Sequence, residues 1–255
     1  MFVRPLALYL ALTTLPAIAQ NNFTITVRDK PAGKASYTIE KTKDGYHVKT
    51  KLSYHLSPAA TPSPDADPPP ARGCSSSAPG RAADFQFVED YKLDASGSYA
   101  GGFITNMVTL VNTSYNINKS RDQLFISQNH VGAAGLSTPI SIKPNFVLLP
   151  DYDPSALQAL LLQTAAHPAE KDLYLVLVPG KNPGEDAVPA LWLTNQPDPH
   201  GTLDGKPVTL HHFILRLYKS QYDLVADDTN TLMVASSTSL SAIYTRDGFV
   251  LTSIK

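Results

Sequence analysis

The side chains best suited to chemistry in this 255-residue chain fall into a few groups. Asp151 and Asp153 flank Tyr152, Glu89 lies inside an alternating apolar run, His211 and His212 are adjacent, and Cys74 is the single cysteine. Paired carboxylates are the usual equipment for general acid–base work, provided a pocket encloses them. For Asp151 and Asp153 a simpler reading competes, because Asp153-Pro154 opens an apolar stretch as a helix cap and first helical residue would. Glu89 shares a strand face with Phe85, Phe87, Tyr91 and Leu93. An inward carboxylate is costly unless paired, so the expectation is a bulge near Glu89 that turns it outward. The alternative is a carboxylate aimed into a cavity.

The histidines offer less. Neighbours on a strand point to opposite faces, so His211 and His212 cannot readily share one metal, and one inward and one surface histidine are expected. His47 and His55 share a face but stand roughly 26 Å apart at about 3.3 Å per residue. Cys74 lies in Arg72-Gly73-Cys74-Ser75-Ser76 and lacks the second glycine of an acyl-transfer elbow. It is expected as an exposed thiol, or as half of an intermolecular disulfide. Asp227, Asp228 and Asn230 lack the spacing of a calcium loop and read as a polar hairpin turn. No phosphate loop, no dinucleotide glycine fingerprint and no H-E-x-x-H helix occurs. No catalytic residue, metal or cofactor is therefore expected.

Composition sets the frame that must position these groups. Lys and Arg number 21 against 22 Asp and Glu, with 43% apolar residues. That is enough for a real core, and a near-neutral balance argues against nucleic acid as partner. Residues 1–19 read as a secretory signal: Arg4, an apolar run from Leu6 to Ile18, then Ala17-Ile18-Ala19 before Gln20. The run is too short for a membrane span. An exported protein, periplasmic or extracellular, is the expectation, with residues 20–255 as one β-rich domain.

Period-two alternation dominates that domain. Phe23, Ile25 and Val27, then Ala35, Tyr37 and Ile39, then Tyr46, Val48, Thr50, Leu52, Tyr54 and Leu56 mark single faces. Turns at Pro31-Ala32-Gly33 and Lys43-Asp44-Gly45 make residues 22–56 a three-stranded meander. Residues 57–83, crowded with proline, serine and alanine, are expected as a disordered insertion. The strand pattern resumes at Asp84, with further strands near 107–118 and 122–128. Leu157, Leu160, Leu161 and Ala165 follow Asp153-Pro154 at helical spacing and predict a helix over 154–166. Its Leu160-Leu161-Leu162 run is apolar over a wide arc, so the helix should be covered. Strands follow at 173–178, 190–193, 207–217, 221–226, 231–236, 239–245 and 248–254. The fold class is mainly β, a β-rich α+β protein with a curved antiparallel sheet or half barrel around one main helix.

Three features carry a resemblance: the meander around Lys34 and Asp44-Gly45, the strand Val147-Leu148-Leu149-Pro150 leading into the helix, and the late hairpin of Asp223–Asp227 with Thr231–Val234. In these the chain resembles secreted bacterial β-rich domains of unknown function, similar in outline to lipoprotein-carrier-like half barrels. That resemblance implies a concave sheet binding an apolar small molecule or lipid moiety. The leading expectation is non-catalytic binding of such a ligand, or of an envelope protein, by the inward aromatic face. Tyr46, Tyr54, Phe87, Tyr91, Trp192 and Phe213 are the lining candidates, and filling the core is the competing role for each. The alternatives are a secreted hydrolase using Glu89, Asp151 or Asp153, and an envelope assembly protein that pairs through its sheet edges.

Overall fold

The computed structural model describes residues 20–56, 83–108, 111–130, 133–143, 146–150, 153–166, 172–178, 187–194, 196–217, 221–238 and 241–254. Residues 1–19 and 57–82, with Cys74, and Asp151 lie outside them, and with them the expected signal and most of the expected disordered insertion. The meander comprises β1 (Gln20–Val27), β2 (Lys30–Thr42) and β3 (Gly45–Leu56). It continues through β4 (Ala83–Asp94), β5 (Tyr99–Val108), β6 (Val111–Ser120), β7 (Gln123–His130) and β8 (Ala133–Ser141). Next come β9 (Phe146–Pro150), the helix α1 (Pro154–Ala166), β10 (Asp172–Val178) and β11 (Ala187–Leu193). The chain closes with β12 (Pro199–Leu203), β13 (Lys206–Val208), β14 (Leu210–Arg216), β15 (Gln221–Asp227), β16 (Leu232–Ser237), β17 (Ala242–Arg246) and β18 (Phe249–Ile254).

Among the described residues, fifteen of these strands form one sheet in the order β8-β7-β6-β5-β4-β3-β2-β1-β17-β16-β15-β14-β11-β10-β9. Every described pairing in it is antiparallel except β9 with β10. The sheet is not closed: β8 and β9 stand at its two ends. A small sheet, β13-β12-β18, covers a separate cluster of Leu210, Val225, Met233 and Phe249.

The alternation read from the sequence is the alternation of burial. Register lays the inward side chains in rows across the sheet. Tyr37 faces Thr50, Thr50 faces Glu89, Glu89 faces Ile104 and Ile104 faces Tyr115. The neighbouring row runs from Ile39 through Val48 to Tyr91. α1 lies against this concave side, with Ala156, Leu157, Leu160 and Leu161 in the main core beside Phe23, Tyr37, Tyr54 and Phe87. A helix apolar around most of its circumference must be enclosed, and residues 153–161 are all buried.

Several expectations need correction. The first hairpin turns at Arg28-Asp29, both in the left-handed region (φ 49° and 61°), a two-residue connection suited to strand twist. Pro31 to Gly33 lie within β2, where a register shift at Ile25/Thr26 accommodates them. Glu89 does not turn outward: the register of β4 with β5 is regular through it, and its shift falls at Lys92/Leu93. The segment 107–118 is the end of β5 and most of β6 rather than one strand. Strand β5 before Met107 and strands β8 and β12 were not read, and the segment 207–217 is two strands, β13 and β14, in different sheets.

Candidate functional site

α1 begins where the sequence placed it. Asp153 caps it: Oδ1 accepts from the Ser155 amide at 2.8 Å and Oδ2 from the Ala156 amide at 3.0 Å. The Ser155 hydroxyl donates to Asp153 Oδ2 at 2.5 Å and itself accepts from Thr50 Oγ1 at 2.6 Å. The Tyr91 hydroxyl lies 2.9 Å from Ser155 Oγ. Thr50 and Glu89 are cross-strand partners, and Val48 and Tyr91 are the pair one row on. The β3–β4 ladder thus delivers Thr50, Glu89 and Tyr91 to the first turn of α1.

Glu89 is the outlier in this cluster. It is 1% exposed and Asp153 3% exposed. Neither Glu89 carboxyl oxygen has a donor among the described residues. Burial, then the charge of Asp153, then a hydrogen bond with Asp153 raise the Glu89 pKa well above the carboxylate range. Burial also raises Asp153, opposed by hydrogen bonds from Glu89, Ser155 and the Ala156 amide. The physical solution is a proton held on Glu89, because two ionised carboxylates cannot face each other in an apolar interior. Among the described residues neither group has a salt-bridge partner. Tyr91 is raised by burial and then by these two carboxyls, and Tyr99 by burial and then by Glu89, so both phenols stay neutral.

Two further polar anchors fix the helix. Gln158 Oε1 accepts from the Tyr37 hydroxyl (3.0 Å) and the Leu232 amide (2.8 Å), while its Nε2 donates to Asn230 O (2.7 Å). Gln163 Nε2 donates to Phe146 O at 3.3 Å on the end strand β9. α1 is therefore bonded to β2, β3, β4, β9 and the β15–β16 turn.

The expected lining residues occupy this interior. Tyr54 and Phe87 stack at 6.1 Å, and Trp192 stacks on Phe213 at 5.2 Å. Tyr54, Phe87 and Trp192 belong to the main core, with Phe213 half-buried against it. Tyr91 lies in the second cluster, with the half-buried Tyr46 packed beside it. With α1 in place the space between Tyr91, Val147 and Ala159 is only about 10 Å³. The histidines are divided as expected. His212 approaches Asp223 at 3.3 Å and is 10% exposed, whereas His211 is 42% exposed and 3.5 Å from Asp198. His47 and His55 bond separately, to Asp90 (2.7 Å) and Asp84 (2.6 Å). Asp227 closes a polar turn, its Oδ1 accepting from the Thr229 and Thr231 amides. No group of three or more metal-ligating side chains occurs among the described residues, and no helix there is long and apolar enough to cross a membrane. What the sequence reading missed is the pairing of Glu89 with Asp153. The signal was present in the shared face of Thr50 and Tyr91 with Glu89's row, but the partner lies far along the chain.

No family model and no curated protein matches the chain. Among solved structures it is similar to a β-barrel-like protein of a domain of unknown function, DUF1849, from Brucella abortus. That match has a TM-score of 0.55 at 8% identity and covers 92% of this chain and 97% of the other. A DUF1089 family protein from Pseudomonas aeruginosa gives a TM-score of 0.42 at 8% identity, over 78% of this chain and 87% of that one. The first likeness is one of fold: this chain is a β-rich domain of β-barrel-like architecture.

Proposed function

We propose that the chain is an exported, non-catalytic binding protein whose concave sheet takes up an apolar ligand where α1 now rests. The Glu89–Asp153 pair carries this reading. A helix serving only to fill a core is held more cheaply by apolar contacts, since a buried ionisable pair without a counter-cation loses solvation that packing does not return. Here that pair joins the first turn of α1 to the sheet wall, and the sheet is open between β8 and β9. Costly local arrangements concentrate at switching and binding elements. The stacked pairs Tyr54–Phe87 and Trp192–Phe213 belong to or pack against the same core cluster as α1.

A hydrolase built on the same carboxyls is less well supported. A general acid must reach its substrate: with α1 seated both groups are buried, and displacing α1 would carry Asp153, at its cap, away from Glu89. An envelope protein as occupant would use the same surface.

The test is native mass spectrometry of the mature protein purified from its exported fraction, followed by organic extraction. A retained apolar mass released on denaturation supports the reading and gives the ligand class. A clean apo mass, with no uptake of added alkyl compounds, contradicts it.

A further inference from the structure

We infer that the ligand is an amphiphile with a primary ammonium head, seated on Glu89, Thr50 and Tyr91 where the first turn of α1 now lies. This rests on the proposed apolar-ligand function and adds the chemistry and position of the head.

The helix itself outlines the seat. Thr50 Oγ1 and the Tyr91 hydroxyl both bond one atom, Ser155 Oγ, at 2.6 and 2.9 Å. Glu89 stands directly across from Thr50 in the β3–β4 ladder and two residues before Tyr91, so the three side chains rise from one face of the sheet. All three belong to strands and stay when α1 leaves. Ser155, in the first turn, and Asp153, at the cap, go with the helix. What remains is a polar spot in an apolar bowl, with Ile104 across from Glu89 on β5 and Tyr37, Tyr54 and Phe87 along the track of α1. An alkyl chain lying in that track places its head at the spot.

The chemistry of the head follows from what the spot lacks. Glu89 is 1% exposed, yet neither of its oxygens receives a hydrogen bond from the described residues. Neither Glu89 nor Asp153 has a salt-bridge partner among them, so this acid is buried without a counter-cation. The rings of Tyr91 and Tyr99 lie beside it, their centres 5.7 Å apart, and ring faces next to a carboxyl favour a cation. A primary ammonium offers three donors and no acceptor. Glu89, Thr50 and Tyr91 offer one acceptor group each. A hydroxyl head has a single donor to give, and a carboxylate head would meet Glu89 as a like charge.

The exchange moves one proton. With α1 seated, burial and the Asp153 charge keep Glu89 protonated. An alkylammonium stays charged up to about pH 10, as lysine does. Its arrival replaces the like charge of Asp153 with an opposite one, so Glu89 gives its proton to solvent and pairs with the ammonium. Among the described residues the titratable groups acting on Glu89 or acted on by it are Asp153 from α1, Tyr99 from β5 and Tyr91 on its own strand. Thr50 on β3 and Ile104 on β5 do not titrate, and both phenols stay neutral.

Calorimetry on the mature protein near about pH 6 would compare decylamine, decanol and decanoate, each in two buffers of different ionisation enthalpy. Decylamine should bind roughly tenfold more tightly than decanol, and decanoate more weakly than either. Relative to decanol, decylamine should release about one proton, read from the difference in heat between the buffers. The decanol reference removes any proton moved by the displacement of α1 itself. Glu89→Gln should bring amine and alcohol to about the same affinity and abolish the extra proton, whereas Lys41→Gln, exposed on β2, should keep both differences. Equal affinity for amine and alcohol in the parent, a preference that survives Glu89→Gln, or a preference without proton release overturns this inference and leaves the apolar-ligand reading standing. Tightest binding by decanoate overturns it too. Failure of every alkyl compound to bind overturns both.

Discussion

Glu89 on β4 and Asp153 at the cap of α1 are both buried inside the sheet, and burial together with the Asp153 charge keeps Glu89 protonated. The consequence is a stability that depends on pH in a defined direction. Glu89 is held protonated in the fold, while an unfolded chain releases that proton above about pH 4.3. The folded state then binds more protons than the unfolded one, so stability falls as pH rises from there toward the raised folded-state value. The limiting slope is about 1.4 kcal/mol per pH unit.

Glu89→Gln should remove that slope. The amide never ionises, so the variant should match the parent near about pH 4 and exceed it increasingly above about pH 6. Urea midpoints across this range are the measurement. His47, His55, His211 and His212 are common to both proteins, so the difference isolates the pair. Parallel profiles would contradict a protonated Glu89.

Gln158 should be among the most sensitive polar positions. Gln158→Leu strands the Tyr37 hydroxyl, the Leu232 amide and the Asn230 carbonyl. Buried groups left without partners cost about 1–3 kcal/mol each, so the loss should be about 3 kcal/mol or more. Tyr37→Phe should cost about 1 kcal/mol, and the double variant less than the sum, because both remove the same bond. Additive losses in chemical denaturation would show that the two side chains act independently.

Asp153 separates capping from charge. Asp153→Asn keeps one acceptor oxygen, enough for one of the Ser155 and Ala156 amides, and should cost less than removing the cap altogether. Asp153→Ala removes the cap at about 1 kcal/mol and also leaves the Ser155 hydroxyl without its acceptor, for a total of about 2–3 kcal/mol. Equal losses in the two variants would refute the cap.

Much of this frame was legible in the chain. The run Tyr46, Val48, Thr50, Leu52 and Tyr54 declares its own period, and Asp153-Pro154 declares both the start and the cap of α1. Strand β8 was hidden because Ala133-Ala134-Gly135 and Pro139 give no alternation of large side chains. The first hairpin was misplaced because Pro31 and Gly33 advertise a turn more loudly than Arg28-Asp29, which makes it. Glu89 was read as turning outward because the rule against inward carboxylates is a rule against charge. A proton kept on Glu89 beside Asp153, far along the chain, satisfies that rule, and no local pattern announces it.

The central claim is that ligand enters by displacing α1, and a reversible clamp tests it most directly. Thr50 Oγ1 and Ser155 Oγ are 2.6 Å apart, so Thr50→Cys with Ser155→Cys, in a Cys74→Ser background, should join α1 to β3 on oxidation. Decanol binding is then measured on the oxidised and reduced forms of the same protein. The account predicts that binding is lost when α1 is clamped and returns on reduction. Equal binding by the two forms would contradict it, because the ligand would then be held without α1 leaving its seat.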